Sequence, residues 1–330
     1  MVDQPNANAA IGQPTLPASI SLALRGYQEQ SEGQKIAGAL IECLQSISRV
    51  IDLASLDGLT LAHDYIDAVR GLDRGYADAT PPRLSDAESI GIGIVLAVMR
   101  DGLVKNHIVL RPDAIAALIQ APEDEDFKNA LYSLAHLCGH VEGMACLERA
   151  FPHTTLRLVH EHPHDAQRWD VILACWGEFA ACWISASFVG DLTEMIENVF
   201  LKHLEMARDA AARRIAAFRA HEDRQRVIAD VYAVYGALMK YGAYHLGNIL
   251  GLGKTAGDFP RTMAALDGHW FEDAFHDLDL VLRLLASELG RWPDKGRFEQ
   301  LADLTDTLIE ANELETIAAL SRWDLGGLAN

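Results

Sequence analysis

The sequence predicts an α+β fold dominated by helices, and three observations carry that prediction. Apolar residues recur at three-and-four spacing through most of the chain, the period of helices that bury one face. One stretch, 89–112, instead alternates and turns like a β-hairpin. The chain has 330 residues, 50% of them hydrophobic, and a mean hydropathy of +0.04, which is enough apolar material for a sizeable core. Self-similarity at a period of roughly 20 to 50 residues, the mark of a solenoid or propeller, is not seen.

Taken in order, residues 1–20 are rich in Pro, Asn, Ala and Gln and read as a disordered lead-in, without the basic start and apolar centre of a secretory signal. Residues 21–88 form an N-terminal helical region. Within it, 33–51 is an amphipathic helix, Leu59-Thr60-Leu61 after Asp57-Gly58 a short extended piece, 65–72 a second helix, and Pro81-Pro82 a break. The core, 89–190, opens with the hairpin. Ile90, Ile92 and Ile94 alternate with Gly91 and Gly93 before a β-rich run to Met99. Asp101-Gly102 supplies the positive φ angles of a tight turn, and Val104 to Leu110 returns. A short helix over 113–120, a long one over 126–150 and another over 164–188 follow. Residues 191–330 form a helical C-terminal region packed on the core, with helices over 192–220, 224–250, 271–289 and 298–322. Gly251, Gly253, Gly257 and Pro260 mark its longest loop.

Formal net charge is −19, from 47 acidic against 28 basic residues, so most of the surface repels a phosphate backbone or an anionic bilayer. No nucleic acid is expected as a partner. No apolar run is read as reaching the roughly 18 to 20 residues that span a bilayer, and cytoplasm is the default location. Five cysteines, an odd number without C-x-x-C spacing, read as small reduced core residues. An oligomer is left open.

The long helix carries His136-Leu137-Cys138-Gly139-His140. Two histidines four apart project from one helical face, so both imidazoles can reach one metal ion. In the H-E-x-x-H motif, the glutamate after the first histidine takes a proton from metal-bound water. Leu137 stands in that place and cannot. Thirteen histidines make such spacing common by chance, so the weight falls on context. Further along, Glu178 sits in the helical segment Trp176-Gly177-Glu178-Phe179-Ala180-Ala181. Two histidines and a carboxylate leave a fourth position open, as catalytic rather than structural zinc sites do. The plainer alternative, histidines satisfied on a partly buried helix face, stands beside this one. Cys138 points away from both histidines, and Glu142 lies about 240° around the helix from His136, too far to replace the missing base. A literal match, His160-Glu161-His162-Pro163-His164, is set aside because proline inside a helix loses a hydrogen bond and clashes with the preceding turn. Pro163 belongs at a helix start. Glu123 to Asp126 reads as an acidic helix cap, and YGAYHLGNIL (241–250) as a helix whose small residues allow close packing.

The strand His107-Ile108-Val109-Leu110-Arg111, the helix Ala135 to Glu142 and the later helix with Glu178 together resemble the core of the zincin metallopeptidases, in the gluzincin arrangement. The resemblance spans about Ile90 to Phe188. It implies a small antiparallel sheet packed on the long histidine helix, with His136, His140 and Glu178 holding one Zn2+. It implies no catalytic residue at the general-base position, which Leu137 occupies. The family's edge strand holds substrate backbone, which makes Ile108 and Leu110 the substrate-strand candidates and a protein or peptide the partner in the cleft. The protein is therefore expected to be metallopeptidase-like, without proteolytic activity, in a binding or regulatory role. The alternatives are a zinc hydrolase using a carboxylate from another loop, and a helical interaction protein without metal.

Overall fold

The computed structural model describes residues 12–76, 92–156, 160, 162–188, 192–221 and 224–326, with backbone alone for 218–221, 224 and 313–326. The Pro81-Pro82 break, Ile90-Gly91 and the first eleven residues lie outside that range. The chain is α+β and mostly helical, and it forms two compact units. The first comprises Met1–Val159, Ala180–Leu192 and Gly251–Gly253; the second comprises His160–Phe179, Thr193–Leu250 and Lys254–Asn330.

The first unit runs β1 (Ser21–Arg25), α1 (Gln30–Ile47), β2 (Leu56–Ala62), α2 (Tyr65–Arg70), β3 (Gly93–Arg100), β4 (Leu103–Leu110), α3 (Pro112–Ile115) and α4 (Glu125–Ala150). The hairpin between β3 and β4 turns at Asp101 (φ 53°) and Gly102 (φ 76°), the two positive angles expected of a primed turn. The sheet, however, is mixed rather than antiparallel. Its order among the described residues is β1-β2-β4-β3, with β1, β2 and β4 parallel and β3 antiparallel. Parallel neighbours need a long crossover, and α1 provides it between β1 and β2. Sequence patterning missed β1 because it is five residues long and half-buried. It began the extended piece only after Asp57-Gly58, because glycine is rare in strands. Both residues instead lie within β2, at an irregularity where Gly58 pairs with Ser21 of β1.

This order corrects the substrate strand. β4 lies between β2 and β3 with both edges paired, and Ile108 and Leu110 are 0% exposed, facing the core. Neither can hold an added strand, because the backbone groups that would do so are already used. β3 is the outer strand beside it, and its Ala97–Met99 end is covered by Arg74. Met99 N donates to the Arg74 carbonyl at 2.8 Å, and Arg74 Nε donates to the Ala97 carbonyl at 3.0 Å.

One face of the sheet carries the core. Leu59, Leu61, Ile108 and Leu110 pack with Leu40, Leu44 and Ile47 of α1 and with Leu134, Leu137 and Val141 of α4. The N-terminal region therefore shares the core of the hairpin, and no boundary falls at 88/89. Residues 12–20, expected within the disordered lead-in, are tied down. Thr15 Oγ1 donates to the Ser48 carbonyl at 2.9 Å and accepts from Leu53 N at 2.9 Å, while Leu16 and Ile20 pack on the core. Asp124 caps α4, accepting from Asp126 N at 2.8 Å.

α5 (Pro163–Ser185) starts in the second unit with proline at its first position, and its last turns belong to the first unit. Pro163–Phe188 is long and apolar enough, by length and composition alone, to cross a membrane, contrary to the sequence reading. With 72% of its apolar window buried, it has the burial of a core helix. The second unit continues with α6 (Thr193–His221), α7 (Arg224–Gly251), α8 (Pro260–Leu266), α9 (Glu272–Ser287) and α10 (Gly296–Gly326). Trp176, Trp292 and Phe298 meet edge to face, and Phe200 stacks near Phe275. α7 presses on α5 where a Cβ at Gly247 would stand 2.4 Å from the Phe179 carbonyl oxygen, as the small residues of 241–250 predict.

Candidate metal centre

The centre is built around one backbone contact. α4 meets α5 at Gly139 and Ala181, so closely that a Cβ on Gly139 would lie 2.7 Å from the Ala181 carbonyl oxygen. Only glycine permits that approach. On α4, His136 lies three residues before the contact and His140 one after. On α5, Glu178 lies three residues before it and Cys182 one after. His136, His140 and Glu178 each offer a ligand atom, and these atoms all lie within 4.8 Å of one another. Metal bonds of about 2 Å place ligand atoms about 3 to 4 Å apart, so closure needs side-chain shifts on the order of 1 Å. The imidazoles meet edge to face with centroids 4.8 Å apart. His136 is 9% exposed, and His140 and Glu178 are half-buried. Two imidazoles and a carboxylate form the donor set of an open zinc site, so the residues present fit the ion.

The position beside the first histidine is dry. Leu137 is 3% exposed in the core under the sheet, and its Cδ1 lies 3.1 Å from where a Cβ on Gly93 would stand. An isobutyl group thus meets the sheet where proton transfer would need a carboxylate. Glu142 is engaged elsewhere. Its carboxylate accepts from Asp52 N at 2.9 Å, and burial pushes its carboxyl above the usual range. Cys138 is fully buried, which pushes its thiol up and makes it the inert core residue the helical wheel implies. Cys182, which sequence reasoning assigned only to the core, touches a candidate ligand, its Sγ lying 3.8 Å from Nδ1 of His136. The signal available in advance was the small-residue pair Ala180-Ala181 preceding it.

His160-Glu161-His162-Pro163-His164 does not form a helical site. Pro163 begins α5, and His164 Nε2 lies 3.1 Å from Asp306 Oδ1. Glu161 is outside the described residues.

A second polar chain escaped the sequence reading. His107 of β4 places Nε2 at 2.9 Å from Thr60 Oγ1 of β2 and Nδ1 at 3.2 Å from Asp57 Oδ2, while Asp57 Oδ1 faces Arg100 Nε at 3.4 Å. The order hydroxyl, imidazole, carboxylate is that of a hydrolase triad, but Thr60 is 3% exposed and His107 4%. A hydroxyl so enclosed reaches no substrate, and the chain cross-links two strands instead. Burial pushes His107 below its ordinary value, against the hydrogen bond and charge of Asp57. Alternation along β4 puts His107 opposite Ile108, but only the parallel register brings Thr60 and Asp57 to it.

Comparison with protein families, curated proteins and solved structures finds no match for this chain.

Proposed function

We propose that the protein is a zincin-like metal-binding protein of the gluzincin arrangement that has lost peptidase chemistry and uses its cleft for binding. One observation carries the reading: His136, His140 and Glu178 converge within 4.8 Å beside Leu137, a side chain with no proton to exchange. Zinc, when bound, would supply Lewis acidity at its open fourth position. His136 and His140 would bind it through neutral imidazoles, and Glu178 would offset part of its charge. Leu137 offers no acceptor for a proton from water, so the residues around the ion would support binding of a partner rather than hydrolysis. The partner we propose is an extended segment of a protein or peptide pairing with residues 93–96 of β3, before the stretch that Arg74 covers. Support for this lies in the place of β3 at the sheet edge and in the position of Gly93, its first residue, directly against Leu137.

The test is metal analysis of protein purified without a histidine tag. About one zinc per chain is expected, lost in His136→Ala and in Glu178→Ala. Absence of metal would leave the histidines as packing residues of a helical interaction protein. Peptidase assays on the same material are expected to show no turnover. Robust proteolysis abolished by His136→Ala would overturn the loss of chemistry.

A further inference from the structure

We infer that residues 73–76 are a strap that keeps the edge of β3 from pairing with the same edge of a second copy of this chain. The strap does this whether or not the centre holds metal. Ile94-Val95-Leu96-Ala97-Val98-Met99 has no charge and no proline, the composition of a strand that adds to its own kind where its edge lies open.

Pairing parity decides which backbone groups face outward. In an antiparallel ladder each residue turns its N–H and C=O to one side, and successive residues alternate. The Ile92 carbonyl accepts from Arg111 N at 3.0 Å, and Asn106, opposite Ala97, gives its N–H to the Ser55 carbonyl rather than to β3. Gly93, Val95, Ala97 and Met99 therefore aim both groups away from β4. These four are placed symmetrically about Leu96. A two-fold axis there would set Gly93 against Met99 and Val95 against Ala97, each pair exchanging two hydrogen bonds, eight in all.

The strap takes the far half of that set. The Arg74 carbonyl accepts from Met99 N at 2.8 Å, Arg74 Nε donates to the Ala97 carbonyl at 3.0 Å, and Arg100 Nη1 donates to the Met99 carbonyl at 2.9 Å. Only two of the eight bonds survive, from Ala97 N–H of each copy to the Val95 carbonyl of the other. Several anchors hold the strap in place. Arg100 Nη2 donates to the Asp73 carbonyl at 2.8 Å, the Arg74 guanidinium lies 5.0 Å from the Tyr76 ring centroid, and the Tyr76 hydroxyl donates to the Leu156 carbonyl. Gly75 (φ 72°) lets the chain pass this close, since a Cβ there would stand 2.1 Å from the Met99 carbonyl oxygen. Arg74 is 8% exposed, so its side chain is committed to the edge rather than to solvent.

The test is sedimentation velocity with backbone amide exchange, on the full chain. In wild type, Val95 and Ala97 N–H are expected to exchange fast and Met99 N–H slowly. Arg74→Ala returns the Ala97 carbonyl, so four of the eight bonds can form. Two added hydrogen bonds of ordinary net strength should tighten self-association about tenfold and slow exchange at Val95 and Ala97 in the dimer. If Arg74→Ala does not fold, Arg74→Met keeps the aliphatic stem without the donor and carries the same expectation. Val95→Pro, added to either variant, removes an outward N–H that the β4 ladder does not use and should abolish the gain. Folded Arg74 variants that associate no more than wild type overturn the inference. So does a gain that survives Val95→Pro, which would place the contact elsewhere. Slow exchange of Val95 and Ala97 in wild type overturns it too, because the edge would then be covered with the strap in place.

Discussion

Leu137→Glu restores the residue type that peptidase chemistry requires, and the fold sets its cost. Leu137 is 3% exposed among Ile108, Leu110, Leu134 and Val141. Removing a buried leucine forfeits roughly 1.5 to 3 kcal/mol. A carboxyl in its place is desolvated, and holding it neutral at pH 7 against an ordinary pKa near 4.3 costs up to about 3.7 kcal/mol. Partial relaxation toward the metal site lowers the sum, and the metal-free variant should lose about 3 to 5 kcal/mol. Zinc reverses part of this. At a hundred times Kd any bound ion stabilises by about 2.7 kcal/mol, and a carboxylate about 60° around the helix from His140 gains a cationic partner besides. Urea unfolding with and without zinc, in wild type, Leu137→Glu and Leu137→Glu with His136→Ala, reads both terms. Metal-free stability equal to wild type would show that Leu137 does not occupy a dry position. Zinc stabilisation no greater in Leu137→Glu than in wild type would show that the restored carboxylate does not face the ion, and stabilisation that survives His136→Ala would show that the ion is not held by His136.

Three further outcomes follow from the packing. His245 of α7 is fully buried; Nε2–H donates to Thr262 Oγ1 at 3.0 Å, the Thr262 hydroxyl donates to Glu197, and Nδ1 is without a partner. Burial pushes this histidine down from 6.5 to about 4, so its neutral form stabilises the fold fully above pH 6.5, and roughly 3 kcal/mol is lost as pH falls from 6.5 to about 4. His245→Gln should flatten that slope in urea midpoints measured against pH. Thr60→Val removes the hydroxyl that His107 Nε2 contacts at 2.9 Å and should cost about 1 to 3 kcal/mol in chemical denaturation. Gly139→Ala forces a Cβ to within 2.7 Å of the Ala181 carbonyl oxygen; it should cost about 1 to 3 kcal/mol by thermal unfolding and weaken zinc binding by separating α4 from α5.

Much of the helical frame was legible in sequence. Periodicity set α1, α4, α6 and α7 to within a few residues, because each has one apolar stripe to bury. Asp101-Gly102 announced its turn because few other pairs accept two positive φ angles, and Pro163 announced the start of α5. The sheet was less legible. SLALR and LDGLTLA are short, and their place comes from pairing across the α1 crossover, which leaves no local trace. That is why β4 was taken for the outer strand and why the Asp57–His107–Thr60 chain was not foreseen.

By itself the sequence determined the residue types at the centre: two histidines a turn apart, a later carboxylate, and a leucine that accepts no proton. Spacing along a helix is local geometry, and it is written in residue numbers. Tertiary structure alone decided that Glu178 reaches the histidines, that Cys182 touches Nδ1 of His136, and that Leu137 is sealed under the sheet. Each of those depends on how closely α4 and α5 approach at Gly139, a contact between segments some forty residues apart (~40) whose distance no linear pattern encodes.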